Sequence, residues 1–212
     1  MIKFINYVNE DLERQFELDI KNYYQEVRQF LPALPKDMQI YFMSPERTTY
    51  GMSTGGYAYS PQIISLAIDP QVKRLDNIRD DLRSTLFHEA FHIVHNYTGQ
   101  TGPFSLLECA LQEGSATVFE RQYVDGKPKD LYGNYKQHPS LLLNQWLDTI
   151  KMAGIVSDDY YSSIAFYDKS DNTSWKLYKT GTWLVDKYIK KNKKDIKDLT
   201  NEDLAKIANN IQ

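Results

Sequence analysis

Three of the four histidines in the chain fall inside one stretch, STLFHEAFHIVHNYTG (residues 84–99), as His88, His92 and His95. His88-Glu89-x-x-His92 is an HExxH pattern. On a helix, residues four apart share a face, so both imidazoles reach one ion. Glu89 stands beside the first ligand, where a carboxylate can take a proton from a zinc-activated water. Catalytic zinc takes three protein ligands and keeps a fourth position open for water. A third ligand is therefore required.

His95 is on the same face, seven residues from His88. At 1.5 Å rise per residue that is about 10.5 Å along the axis, too far for both to bind one ion across His92. A three-histidine HExxHxxGxxH arrangement needs glycine at position 95 and histidine at 98, where the chain has His95 and Thr98. The alternative is a carboxylate on the following helix. If residues 99–104 form a tight turn between antiparallel helices, residues equidistant from that turn lie level with one another. Glu113 returns beside His92. Glu108 falls about a turn short and already completes a capping box with Ser105, and Glu120 overshoots. The expected ligand set is His88, His92 and Glu113, around Zn2+.

The elements that must position these residues are legible in part. NEDLERQFELDIKNYYQEVRQFL spaces Leu12, Phe16, Ile20, Tyr23, Val27 and Phe30 at helical intervals and predicts one helix, ended by LPALPK. DMQIYFMS and QIISLAID read as strands. TTYGMSTGGYAYSP between them reads as a hairpin or surface loop. Residues 77–97 read as the active helix, with Asn77 as its cap. Further helices are expected over SLLECALQEGSATVFERQY, over 140–153, over 174–192 and, capped by Thr200, over 200–210. The segment 156–173 carries no clear periodicity. Few strands followed by many helices predict an α+β chain, with a small antiparallel or mixed sheet and a mainly helical C-terminal half. A single domain over 1–212 is expected, with the helix-plus-sheet part running to about residue 75.

Composition narrows the function classes. The 25 basic and 28 acidic residues leave a net charge of −3, so nucleic acid is not an expected partner. One cysteine, Cys109, excludes an intramolecular disulfide. The opening MIKFINYVNEDLERQF turns acidic within ten residues and has no apolar run long enough for a signal or a membrane span. The chain as written reads as soluble and cytoplasmic, or as secreted if a signal has been removed ahead of it.

HExxH followed by a glutamate on the next helix resembles the gluzincin metallopeptidases, the broad group of thermolysin and the large zinc aminopeptidases. EGSATVFE is similar to the E-G-x-A string of uncharacterised bacterial zinc proteases. The resemblance implies a zincin-like fold, a peptide substrate, Glu89 as general base and an edge strand that pairs with that substrate, here QIISLAID. Tyr178-Lys-Thr-Gly181 resembles the Y-x-x-G of the zinc aminopeptidases, which implies Tyr178 as donor to the oxyanion. Tyr160, Tyr161, Tyr167 and His138 are rivals for that role, and Gly181 would admit a close backbone. Two departures stand out. Thr117 replaces the acidic residue that thermolysin-like enzymes place four after the ligand glutamate. The aminopeptidase G-x-M-E-N signature is missing from Gly51-Met-Ser-Thr54, which favours endopeptidase action. A regulatory protease with one protein target and a metal-stabilised binding module without turnover are the competing classes.

Overall fold

Four residues with too little alternation to stand out in the sequence, Ile2–Ile5, form the first strand, β1. The computed structural model describes residues 1–99, 103–124, 131–169, 172–202 and 207. The backbone groups into two compact units, Met1–Gly102 with Val124–Lys127, and Pro103–Tyr123 with Pro128–Gln212.

In the first unit the expected N-terminal helix is two helices, α1 (Glu10–Arg14) and α2 (Glu17–Phe30). The Glu13 carboxylate is buried and accepts the Val8 and Asn9 backbone N–H groups, which caps the start of α1. At its end Gln15 N–H and Phe16 N–H turn to the carbonyls three residues back, and α2 begins at Glu17. The buried stripe of α2 is Ile20, Tyr24 and Val27, with Phe16 just ahead of it. Tyr24 replaces the expected Tyr23, and its hydroxyl donates to the Pro35 carbonyl at 2.8 Å.

β2 (Met38–Phe42) buries alternate residues. It is followed by β3 (Thr54–Ser60) and β4 (Ile63–Ile68), which form an antiparallel hairpin. The sheet order is β1-β2-β4-β3, with β1 and β4 both parallel to β2. The parallel β1–β2 pair needs a crossover, which the segment bearing α1 and α2 supplies. This sheet is mixed. It also corrects one expectation: QIISLAID is the interior strand β4, buried from Ile64 to Ile68 as interior strands are, and the edge strand is β3.

α3 (Leu75–Val94) follows. Its N-cap is Arg74 rather than Asn77, which lies inside the helix. The end is a Schellman motif. Asn96 takes the left-handed conformation (φ 54°), Asn96 N–H donates to the Ile93 carbonyl, and Tyr97 N–H donates to that of His92. The helix therefore stops one turn after His92. α2 and β3 both pack on α3.

One polar stripe joins α3 to β3. Asp81, Thr85 and Glu89, each one turn apart, are all buried. Asp81 Oδ2 accepts from both the backbone N–H and the hydroxyl of Ser53, each at 2.7 Å. The Thr85 and Thr54 hydroxyls lie 2.8 Å apart. Glu89 Oε2 accepts the Ala58 N–H at 2.7 Å.

The second unit is built on α4 (Leu106–Tyr123), α5 (Ser140–Ala153), α6 (Asp158–Ala165) and, after a two-residue hairpin of β5 (Tyr167–Asp168) and β6 (Thr173–Ser174), α7 (Lys176–Asn192). α4 opens on the expected capping box: Glu108 accepts Ser105 N–H at 2.7 Å, and Ser105 Oγ accepts Glu108 N–H at 3.2 Å. α5 has the expected bounds. The unassigned segment holds α6, capped by Ser157, and the hairpin. Thr200 lies inside a 3-10 helix, Ile196–Asn201, capped by Asp195. Most of the helix expected over 200–210 falls outside the described residues. No helix among the described residues is long and apolar enough to cross a membrane.

The Asp81 contacts generate a stability prediction. Asp81→Ala strips two hydrogen bonds from a charged acceptor and leaves the buried Ser53 N–H without it. The expected loss is about 2–4 kcal/mol, read as a lowered midpoint in urea unfolding. A change within about 0.5 kcal/mol, the range of an inert surface substitution, would show that the stripe does not hold β3.

Candidate metal centre

The helical period alone brings the two histidines together. The His88 and His92 rings meet edge to face with centroids 4.7 Å apart. Both are buried, as is Glu89. The Glu89 side chain passes over β3 at Gly56. A methyl group built on Gly56 would stand 2.6 Å from Glu89 Cγ and 2.7 Å from Oε1. Only glycine leaves room there. Glu89 thus has one oxygen, Oε2, fixed by Ala58 and the other, Oε1, beside Gly56.

Glu113 is buried in α4. Its neighbour Gly114 marks the crossing of α4 on α7. A methyl group on Gly114 would lie 2.1 Å from the Gly181 carbonyl carbon, and one on Gly181 would lie 1.7 Å from the Ala110 oxygen. The close backbone approach expected at Gly181 is present, and it is made to the helix that carries Glu113. Thr117, at the position where the resemblance to thermolysin-like enzymes implies an acid, donates its hydroxyl to the Glu113 carbonyl at 2.7 Å. It is a helix back-bond.

Among the described residues, His88, His92 and Glu113 each offer a ligand atom, and these atoms all lie within 4.8 Å of one another. His95 is not in the group. It is the C-cap of α3, and its ring packs against Phe91 at 5.3 Å. Glu108 is occupied in its capping box. Glu120 is fully buried and accepts the Tyr132 hydroxyl on both oxygens, at 2.7 and 2.6 Å.

The tyrosines separate clearly. Tyr178 is half-buried in an aromatic cluster, 5.4 Å from the Trp175 ring and 5.5 Å from that of Tyr132. Tyr161, on α6, brings its hydroxyl to 3.5 Å from Glu113 Oε1, longer than a formed hydrogen bond between oxygens. Tyr160 and Tyr167 are exposed. His138 packs on Trp146 at 4.9 Å, and burial, with the Lys179 charge second, lowers its pKa.

Sequence reading missed the roles of Asp81, Thr85, Gly56 and Ala58. The first two had a signal, the spacing Asp-x3-Thr-x3-Glu into the HExxH glutamate. The strand residues had none.

The α4–α7 crossing predicts that Gly181→Ala forces the two helices apart. The expected cost is about 3 kcal/mol or more, with weakened zinc retention in dialysis against a chelator. A variant as stable and as zinc-retentive as the parent would remove the crossing from the account of Glu113.

Comparison with known proteins adds the family. No curated protein and no solved structure matches the chain. A family model described as "Predicted Zn-dependent protease (DUF2268)" matches residues 16–209. Nearly the whole chain is covered, and the chain belongs to this family of predicted zinc-dependent proteases.

Proposed function

We propose that the chain is a zinc endopeptidase of the gluzincin type, with His88, His92 and Glu113 as ligands and Glu89 as the group that moves the proton. The observation that carries this reading is the convergence of two buried imidazoles and one buried carboxylate within 4.8 Å, in a chain of a zinc-dependent protease family. The donor set fits the ion, since two histidines and a glutamate leave zinc a position for water. Zinc supplies Lewis-acid polarisation of the scissile carbonyl and of the attacking water.

The chain's own residues do the rest. Ala58 N–H holds Glu89 Oε2. Oε1 is then the oxygen that takes the proton from water as the hydroxyl adds to the carbonyl carbon. As the C–N bond breaks, the same carboxyl gives that proton to the leaving amine. Endopeptidase action is favoured because the Met52–Thr54 segment offers no acid for a free amino terminus. Asp81, which contacts it, is already bonded to Ser53.

Two substitutions test the assignment. Glu89→Gln is expected to retain about one zinc per chain and lose hydrolysis, whereas Glu113→Ala is expected to lose the metal. Metal analysis with a peptide-library cleavage assay reads both. Full activity in Glu89→Gln, or normal zinc content in Glu113→Ala, would contradict the reading.

The oxyanion donor is Tyr178 by its likeness to Y-x-x-G, or Tyr161 by its place beside Glu113. The position of Tyr161 favours it. Tyr161→Phe is expected to lower kcat by about 10²–10³ with little change in KM, and Tyr178→Phe to leave kcat within about threefold. The reverse pattern would return the role to Tyr178.

A further inference from the structure

The outer edge of β3 decides how a substrate backbone can be held. Among the described residues β3 pairs with β4 alone, in the register Thr54↔Ile68, Gly56↔Leu66 and Ala58↔Ile64. The Leu66 carbonyl accepts Met43 N–H on the β2 side, and Ala58 bonds away from β4 in both directions. These pairs are therefore the non-hydrogen-bonded ones, and the N–H and C=O groups of Thr54, Gly56 and Ala58 point outward.

Most of that outward edge is already used. The Thr54 carbonyl accepts Thr49 N–H at 2.9 Å. Ala58 N–H donates to Glu89, and the Ala58 carbonyl accepts Gly99 N–H at 2.9 Å. Gly99 reaches it because the Schellman turn at Asn96 folds the chain back after α3. Among the described residues neither backbone group of half-exposed Gly56, between these two closures, has a hydrogen-bond partner, and Glu89 Oε1 stands beside it.

On the zinc-peptidase reading above, we infer that β3 clamps a substrate chain over one residue only, through the N–H and C=O of Gly56. The ladder breaks on either side, because the Thr54 carbonyl already accepts Thr49 N–H and both backbone groups of Ala58 are occupied. The clamped residue lies next to the scissile bond, because Gly56 adjoins the catalytic carboxylate. The substrate class is therefore flexible, locally bent polypeptide, and a long extended strand gains nothing over a short segment.

Amide hydrogen exchange on the isotope-labelled full chain tests this. In the free protein the Ala58 and Gly99 amides are expected to exchange at least about tenfold more slowly than the Gly56 amide. Equal rates would overturn the inference. The second measurement uses zinc-loaded Glu89→Gln, whose side-chain carbonyl still accepts from Ala58, with oxidised insulin B chain as probe. Gly56 is expected to gain protection while Gly99 keeps its own. Loss of protection at Gly99 as Gly56 gains it would mean that the ladder runs through Ala58, against the inference. So would an unchanged Gly56 amide when the parent protein cleaves the same peptide. If the parent leaves insulin B chain intact, the peptidase reading fails separately, and the exchange pattern of the free protein still decides whether Ala58 is closed and Gly56 open.

Discussion

The register of α3 against β3 governs the first unit's share of the centre. Asp81, Thr85 and Glu89 are buried one helical turn apart; Asp81 bonds to Ser53 just ahead of β3, and the other two bond to the strand at successive levels. Buried polar groups of this kind are stable only when paired, so the three contacts act as a pawl that fixes rotation and translation of the helix together. A helix turned by one residue would take two carboxylates and a hydroxyl away from these partners. The same rotation sets the direction of His88 and His92. Placement of the candidate ligands is thus a consequence of a structural interaction, and Glu89 belongs to both.

The second unit fixes Glu113 by different means. The Arg121–Asp186 ion pair ties the C-terminal end of α4 to α7. Two glycines let α4 and α7 approach to a distance that any side chain would prevent, and Thr117 turns its hydroxyl back into the helix. Close backbone packing leaves little freedom to α4, which suits the proposed role of Glu113 in presenting one oxygen. Two imidazoles and a carboxylate, all buried, cost desolvation energy that a bound cation offsets.

The grouping of His88, His92 and Glu113 was legible in the sequence because its determinants are short-range. HExxH needs only the helical period, and Glu113 needs only the position of a turn. The capping box at Ser105 and Glu108 is likewise a four-residue matter. What escaped depends on distant pairing. β1 is recognised only by its parallel partner β2, and β4 could not be ranked as interior or edge before its two neighbours were known. Gly56 looked like a loop residue, although it is the point where a strand makes room for the Glu89 side chain. Asp81 is the intermediate case. Its spacing from Glu89 was visible, but its partner, Ser53, lies across the fold.

X-ray absorption at the zinc edge of the loaded protein tests the centre most directly, because imidazole rings scatter in a countable pattern. Two imidazoles with oxygen completing the shell, at about 2.0–2.2 Å, is the result expected for His88, His92 and Glu113. A third imidazole, or a sulfur at about 2.3 Å from Cys109, would contradict it.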